Sequence, residues 1–155
     1  MLQLVPGEIR IGGGALTLLH RVLDAADPEE GCGLLLGERA APLGGRGGPC
    51  WVLRRTWPCR NVWEPRSERS RRFLVDPREQ LHAIRWGRAH GLALLGSLHS
   101  HPGSAPCPSP TDRALAPLAT LMLIRGGGSS ESRELRCWWL DPDADPLQLP
   151  WRMEA

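Results

Sequence analysis

Residues 92–102 read LALLGSLHSHP, an apolar run that ends in two histidines. The apolar part, residues 92–98, has the length and composition of a buried strand. His99 and His101 are two positions apart, and strand residues at that spacing point to the same side, so both imidazoles can converge on one ion. They stand at the carboxyl end of the strand, where α/β proteins place their chemistry. The stretch therefore predicts a buried strand with a functional site at its end.

A third candidate ligand follows at the start of the next helix. Residues 109–112 read SPTD, with Ser109 as the helix N-cap and a proline at the first helical position. Asp112 then lies in the first turn, from which its carboxylate can swing back toward the strand end. His99, His101 and Asp112 are ligands that a Zn²⁺ ion accepts, and they leave a fourth position for water. Residue type, spacing and predicted context together favour a metal site.

This arrangement resembles the signature of the JAMM (MPN+) zinc metalloproteases, also known as Mov34/PAD-1-like proteins: His-Ser-His-Pro, six residues, Ser, two residues, Asp. The family also uses an upstream glutamate, in the context Pro-x-Glu-x-Cys-Gly-Leu-Leu-x-Gly in bacterial members. Residues 28–37 read PEEGCGLLLG, which puts Glu30 at the matching position. Without the resemblance, Glu29 would be an equal choice. The similarity covers residues 8–140, includes Asn61, and is to the small, free-standing bacterial subclass.

The resemblance implies a zinc-dependent peptidase or isopeptidase. One zinc ion held by the two histidines and Asp112 would activate a water molecule. Glu30 would act first as general base and then as general acid toward the departing amine. Ser109 would donate a hydrogen bond to the tetrahedral oxyanion, although its side chain has a competing role as a plain N-cap.

The resemblance also implies a partner, a ubiquitin-like sulfur carrier protein that is cut after its C-terminal Gly-Gly. Such a tail is narrow and extended, and we expect it to add as a strand beside an exposed sheet edge near the metal. The short segment of residues 100–108 leaves little room for the insertions with which eukaryotic deubiquitinases hold polyubiquitin. The Arg-rich loop of residues 60–72 offers Arg69, Arg71 and Arg72 as a docking patch for an acidic surface. A solvated loop is the better-supported interpretation of these charges.

Three alternatives interpret the same residues differently. A non-catalytic MPN scaffold would lack metal ligands, whereas every motif position is present here. A RadC-like, DNA-associated protein shares a His-x-His-Pro motif, but the net charge of +2 gives no support to nucleic-acid binding. A nucleoside or base deaminase requires a His-x-Glu motif and a Pro-Cys-x-x-Cys pair, and the chain has neither.

Length and composition agree with one domain. At 155 residues the chain is long enough for a sizeable core. We assign residues 1–140 to that domain and residues 141–155 to a tail, rich in Pro and Asp, that wraps its surface. No apolar run is long enough to span a membrane, and the start of the chain lacks the features of a signal peptide. The five cysteines form no Cys-x-x-Cys pair, which favours a reduced, cytoplasmic protein with Cys107 as a bystander near the site.

Alternating strand and helix patterns predict a single-domain α/β fold with three α/β/α layers. The resemblance adds that the central sheet is mixed and similar to that of cytidine deaminases. Strands are predicted at residues 8–11, 33–36, 51–57, 92–98, 121–124 and 135–140, and helices at 15–26, 77–90 and 109–118. A flexible turn is predicted at residues 44–48.

Overall fold

The computed structural model describes residues 5–40, 48–127 and 134–154. In these ranges it contains one mixed eight-stranded sheet and three α-helices. The strands are β1 (Glu8–Gly12), β2 (Cys32–Ala40), β3 (Cys50–Cys59), β4 (Ala93–His101), β5 (Thr120–Gly126), β6 (Leu135–Leu140), β7 (Leu147–Leu149) and β8 (Trp151–Glu154). The helices are α1 (Gly13–Ala26), α2 (Pro77–Ala89) and α3 (Pro110–Ala114). The predicted α/β class is confirmed.

A long helix packs on each face of the sheet, and β2 shows why. Its Leu35 belongs to the apolar cluster that contains Leu19 of α1, whereas Leu34 and Leu36 pack with Ala83 of α2. Successive side chains of a strand point to opposite faces, so an unbroken apolar run is what a strand buried on both faces requires. The two clusters place α1 and α2 on opposite sides of β2.

The histidine-bearing strand lies inside the sheet. The strand order is β7-β6-β5-β4-β2-β3-β1-β8. β4 pairs antiparallel with β2 and parallel with β5, and these pairings reach His99 on one side and His101 on the other. Within the described residues β4 therefore has no free edge with which an added strand could pair.

The C-terminal tail forms two strands instead of simply wrapping the surface. β7 pairs with β6 at one edge of the sheet and β8 pairs with β1 at the other, although only Pro150 separates them in sequence. The sheet must curl for both edges to meet there. The Trp151 indole nitrogen donates to Leu135 O at 2.8 Å, and Ile9 N donates to Pro150 O at 3.0 Å. Segments of three and four residues are too short for their alternation to be recognised in the sequence.

The helix predicted at residues 109–118 is wrong in length. α3 ends at Ala114, because a proline at 117 cannot continue the helical hydrogen bonds and disfavours helical geometry at Ala116. The other predicted elements agree with the structure, and most strands extend a few residues further. Most of the predicted 44–48 turn lies outside the described residues. In the described part of the chain, no helix is both long and apolar enough to cross a membrane.

Candidate metal centre

Three polar atoms converge at the carboxyl end of β4. His99 Nε2 lies 3.0 Å from His101 Nε2 and 3.1 Å from Asp112 Oδ2, and His101 Nε2 lies 3.0 Å from the same Asp112 oxygen. All three residues are buried, with His99 at 0% exposure. The structure thus brings together the two strand residues and the helix residue that the sequence singled out.

The segment between the ligands carries its own support. The Ser109 hydroxyl accepts from Asp112 N at 3.0 Å, and Ser109 N donates to Asp112 Oδ2 at 2.9 Å, which is a reciprocal capping box. His101 Nδ1 lies 2.8 Å from Ala105 O, a contact that favours the proton on Nδ1 and frees Nε2 to bind a metal. Residues 99–112, which we call the ligand segment, therefore orient two of the three ligands by contacts within themselves.

Gly127, the residue after β5, lies close to the turn that follows His101 and fixes its position. A Cβ atom at Gly127 would lie 1.9 Å from Pro102 O, so only glycine fits against this turn. Gly127 N also donates to Ser104 O at 3.1 Å. The end of β5 therefore holds the ligand segment against the sheet.

The donor set fits a mononuclear zinc site. Zinc bonds of about 2.0–2.1 Å in a tetrahedron separate the ligand atoms by roughly 3.4 Å. The three atoms lie at 3.0–3.1 Å from one another, so an opening of a few tenths of an ångström accommodates the ion. Adding a Glu30 oxygen, one ligand atom from each of the four residues lies within 4.8 Å of the others. Two imidazoles and a carboxylate suit Zn²⁺, although the contacts alone do not identify the metal.

The electrostatics of the cluster favour a bound cation. Burial opposes ionisation of Asp112, but hydrogen bonds from His101 and His99 hold the pKa of its carboxyl well below the usual range. Burial lowers the pKa of His99, which keeps that imidazole neutral and able to ligate. For His101 burial acts in the same direction, yet the hydrogen bonds with Asp112 and Ala105, together with the nearby charges of Asp112 and Glu30, outweigh it and raise the pKa. A metal ion would replace that proton as the positive partner of Asp112.

Glu30 lies beside the three ligands and Glu29 does not. Glu30 is 1% exposed, and its Oε1 has no hydrogen-bond partner within the described residues. The pKa of Glu30 is raised to about 8, mainly by burial. The charge of His101 opposes this shift, and the charge of Asp112 adds to it. Glu29 instead reaches outward, with its Oε2 3.4 Å from Arg66 Nε. The structure thus distinguishes two glutamates that the local sequence left equivalent.

Ser100 is a site residue whose role the sequence analysis missed. Its hydroxyl accepts from Gly31 N at 2.9 Å, and its own N–H donates to Gly31 O at 3.1 Å. These two bonds tie the middle of the His-Ser-His sequence to the residue after Glu30. A serine between two same-face histidines must point to the opposite side of the strand, which is the one sequence signal that could have suggested a separate role.

The arginines of the predicted docking patch are largely paired. Arg69 donates to Trp63 O at 2.7 Å and to Glu64 at 3.0 Å, and its side chain is only 17% exposed. Arg72 lies 3.4 Å from Glu68 and over the ring of Trp63. Arg71, with a side chain 70% exposed and 3.8 Å from Glu68, remains the most accessible of the three.

Cys107 and the other histidines do not belong to the metal-ligand group found among the described residues. The Cys107 sulfur is exposed and accepts from Arg136 Nη1 at 3.5 Å. His20 contacts Arg125, and His90 stacks on Trp86. The exposed position of Cys107 agrees with the bystander role expected for it.

Two cavities of similar size lie near the cluster. One, of about 530 Å³, reaches Glu30 between the end of α1 and the loop that carries Arg66 and Arg69. The other, of about 510 Å³, runs along β4 and is lined by apolar residues such as Leu94 and Leu118. The first is the better route to the cluster, because a cluster residue forms part of its wall.

Known proteins resemble the chain at the level of both sequence and fold. A family model described as prokaryotic homologs of the JAB domain matches residues 14–141, whereas no curated protein matches. A solution structure of a protein from Desulfitobacterium hafniense is similar with a TM-score of 0.79 and 26% identity, over 94% of this chain and 92% of that one. A solution structure from Salinibacter ruber is similar in fold, with a TM-score of 0.57 and 24% identity over 92% and 91%. The family match spans Glu30 and the whole ligand segment.

Proposed function

The chain belongs to the prokaryotic homologs of the JAB domain, and from that premise we propose that it is a zinc-dependent metallopeptidase that hydrolyses an amide or isopeptide bond. The single observation that carries the proposal is the geometry of four buried residues. Three ligand atoms converge within 3.1 Å of one another, and a fourth residue beside them, Glu30, has a raised pKa and an unpaired carboxyl oxygen. A purely structural polar cluster would satisfy that oxygen.

His99, His101 and Asp112 would hold the ion. When bound, zinc supplies a Lewis acid and lowers the pKa of water toward neutrality. Glu30 accepts the proton of the attacking water and returns it to the departing amine, and its buried position beside the three ligands places its carboxyl for both transfers. The Ser109 hydroxyl accepts from Asp112 N and still has its own proton to donate, so its capping role is compatible with stabilising an oxyanion.

We further propose that the substrate is a ubiquitin-like sulfur carrier protein with a C-terminal Gly-Gly, acted on in the cytoplasm. A glycine tail is thin enough to reach a buried cluster that bulkier residues could not approach. Because β4 is paired on both sides, the tail would lie across the loops and not along that strand. We also retain, as part of the proposal, the cytidine deaminase-like three-layer architecture that the JAMM resemblance implies.

The test is the intact mass of a sulfur carrier extended past its Gly-Gly, measured after incubation with the zinc-loaded protein. Loss of the extension at the second glycine, abolished by Glu30→Gln, would support the peptidase assignment and the role of Glu30 together. A carrier whose last glycine is replaced by alanine serves as the matched substrate and should be cut slowly. Persistence of the intact carrier with zinc bound would contradict this substrate class and favour a binding role.

A further inference from the structure

Asn61 occupies the junction between Glu30 and the loop that follows β3. Its Nδ2 donates to Glu30 O at 3.0 Å and to Arg72 O at 2.8 Å, with Arg69 O further away at 3.5 Å. Its Oδ1 accepts from Trp63 N at 3.1 Å and from Leu74 N at 3.2 Å. We call residues 60–74 the 60–74 loop. The half-buried side chain of Asn61 thus joins this loop to Glu30, the residue proposed as the base.

The same amide fixes the peptides on either side of Phe73. It binds the carbonyl of the residue before Phe73 and the N–H of the residue after it. Phe73 is buried, and its ring stacks on the imidazole of His99 with centroids 4.2 Å apart and planes 20° from parallel. The position of Phe73 over His99 is therefore set from both sides by Asn61.

Apart from the contacts of its Nε2 with Asp112 and His101, the ring of His99 is oriented mainly by Phe73. Metal-binding histidines usually donate their second ring nitrogen to an acceptor, as His101 does to Ala105 O. The Nδ1 of His99 is buried and has no hydrogen-bond partner in the described part of the chain. Stacking on Phe73 holds the face of this imidazole, so a displacement of Phe73 would change the orientation of a zinc ligand.

Glu30 depends on the 60–74 loop as well. Its N–H donates to Arg69 O at 2.7 Å, and its carbonyl accepts from Asn61. Both backbone polar groups of the base are thus bound to the loop, while its Oε1 has no hydrogen-bond partner among the described residues. No residue of the loop belongs to the metal-ligand group found among the described residues.

We infer that Asn61 is a positioning residue that sets the proposed base Glu30 directly and the zinc ligand His99 through Phe73. The inference rests on the proposed metallopeptidase site. An asparagine suits this role because two donors and one acceptor must emerge from one short, uncharged side chain. An aspartate of the same shape would direct carboxylate oxygens at the carbonyls of Glu30 and Arg72, and a serine offers only one donor.

The first experiment uses the metal-free protein and needs no activity. Ring current from Phe73 should shift the ring-proton NMR signals of His99 upfield, and Phe73→Leu should remove that shift. Asn61→Asp and the milder Asn61→Ser should both reduce it. The matched control is Leu92→Ala, which removes packing from the cluster of Leu34, Leu36 and Ala83, away from Phe73, and should leave the His99 signals in place.

The second experiment measures zinc affinity by competition with a chelating dye. Outer contacts of this kind typically change metal affinity by about 10–100-fold, and we expect a loss in that range for Asn61→Ser and Phe73→Leu, with Leu92→Ala close to wild type. If the Asn61 variants are as destabilised as Leu92→Ala but keep the His99 ring shift and the zinc affinity, Asn61 has a structural role only and the inference is overturned. Absence of zinc binding by the wild-type protein would instead refute the proposed function, while the ring-shift comparison would still decide the inference.

Discussion

The ligand segment and the 60–74 loop build the same site by opposite means. The ligand segment supplies three ligands within fourteen residues, and its supporting contacts, Ser109 to Asp112 and His101 to Ala105, stay inside it. The 60–74 loop supplies no ligand. It uses main-chain groups and the single asparagine of the chain to reach Glu30, which is 31 positions from Asn61 in sequence. The zinc ligands are thus encoded locally, whereas the placement of the proposed base, and the orientation of His99 by Phe73, depend on the tertiary fold.

This division implies that the two functions are separable. Changes to the carboxyl of Glu30 should affect proton transfer without affecting metal binding, and changes to the ligands should affect both. The predictions below test how cleanly the two regions divide these tasks.

The largest expected effect is on hydrolysis by Glu30→Gln. Loss of a general base typically costs about 10²–10⁴-fold in rate, and we expect kcat for the extended carrier to fall in that range. Glu29→Gln is the matched control, because Glu29 contacts Arg66 outside the cluster, and its kcat should stay near the wild-type value. Equal losses in the two variants would mean that the buried position of Glu30 carries no catalytic role.

Ser109→Gly should have the next largest effect. Removing an oxyanion donor costs about 10²–10³-fold in kcat, whereas glycine at an N-cap costs only a few tenths of a kcal/mol in stability. Rate and free energy of unfolding, measured on one preparation, distinguish the two roles of this hydroxyl. A small drop in stability with an unchanged kcat would leave Ser109 as a helix cap alone.

The free energy of unfolding of the metal-free protein should depend on pH because Glu30 is buried. The pKa of Glu30 is about 8 in the folded protein and near its ordinary value of 4.5 when unfolded. Between these pH values the unfolded chain releases this proton and the folded chain retains it, so the contribution of Glu30 to stability falls as pH rises. Denaturant unfolding of wild type and Glu30→Gln should therefore diverge from about pH 4.5 to 8, by on the order of a few kcal/mol in favour of the variant. A gap that is constant with pH would contradict the raised pKa.

The smallest expected effect concerns Arg71 on the 60–74 loop. Its side chain is exposed and only weakly paired, so Arg71→Glu should slow association with an acidic carrier protein by a few-fold at low salt, and less as salt is added. Arg85→Glu makes the same charge change on α2 and should leave the association rate alone. If Arg71→Glu leaves the association rate unchanged at low ionic strength, the 60–74 loop has only its positioning role.

The same contrast explains what could be predicted from the sequence. The ligand segment was accessible because strand alternation, a turn and a helix cap follow one another without interruption. Asn61 and Ser100 bond to backbone groups distant in sequence, and Phe73 stacks on the ring of His99. Nothing in the local sequence context of these residues indicates those partners. The curl that joins β7 and β8 at Pro150 escaped prediction for a similar reason, since strands this short are defined by the edges they pair with.

Zinc binding measured on three forms of the metal-free protein tests the central claim most directly. Wild type and Glu30→Gln should each bind one zinc ion with similar affinity, because Glu30 lies outside the ligand set. Asp112→Asn should bind it more than about 100-fold more weakly, a larger loss than contacts outside the ligand set produce. A wild-type protein that binds no zinc, or a Glu30→Gln variant that loses as much affinity as Asp112→Asn, would contradict the division between a local metal site and a separately positioned base.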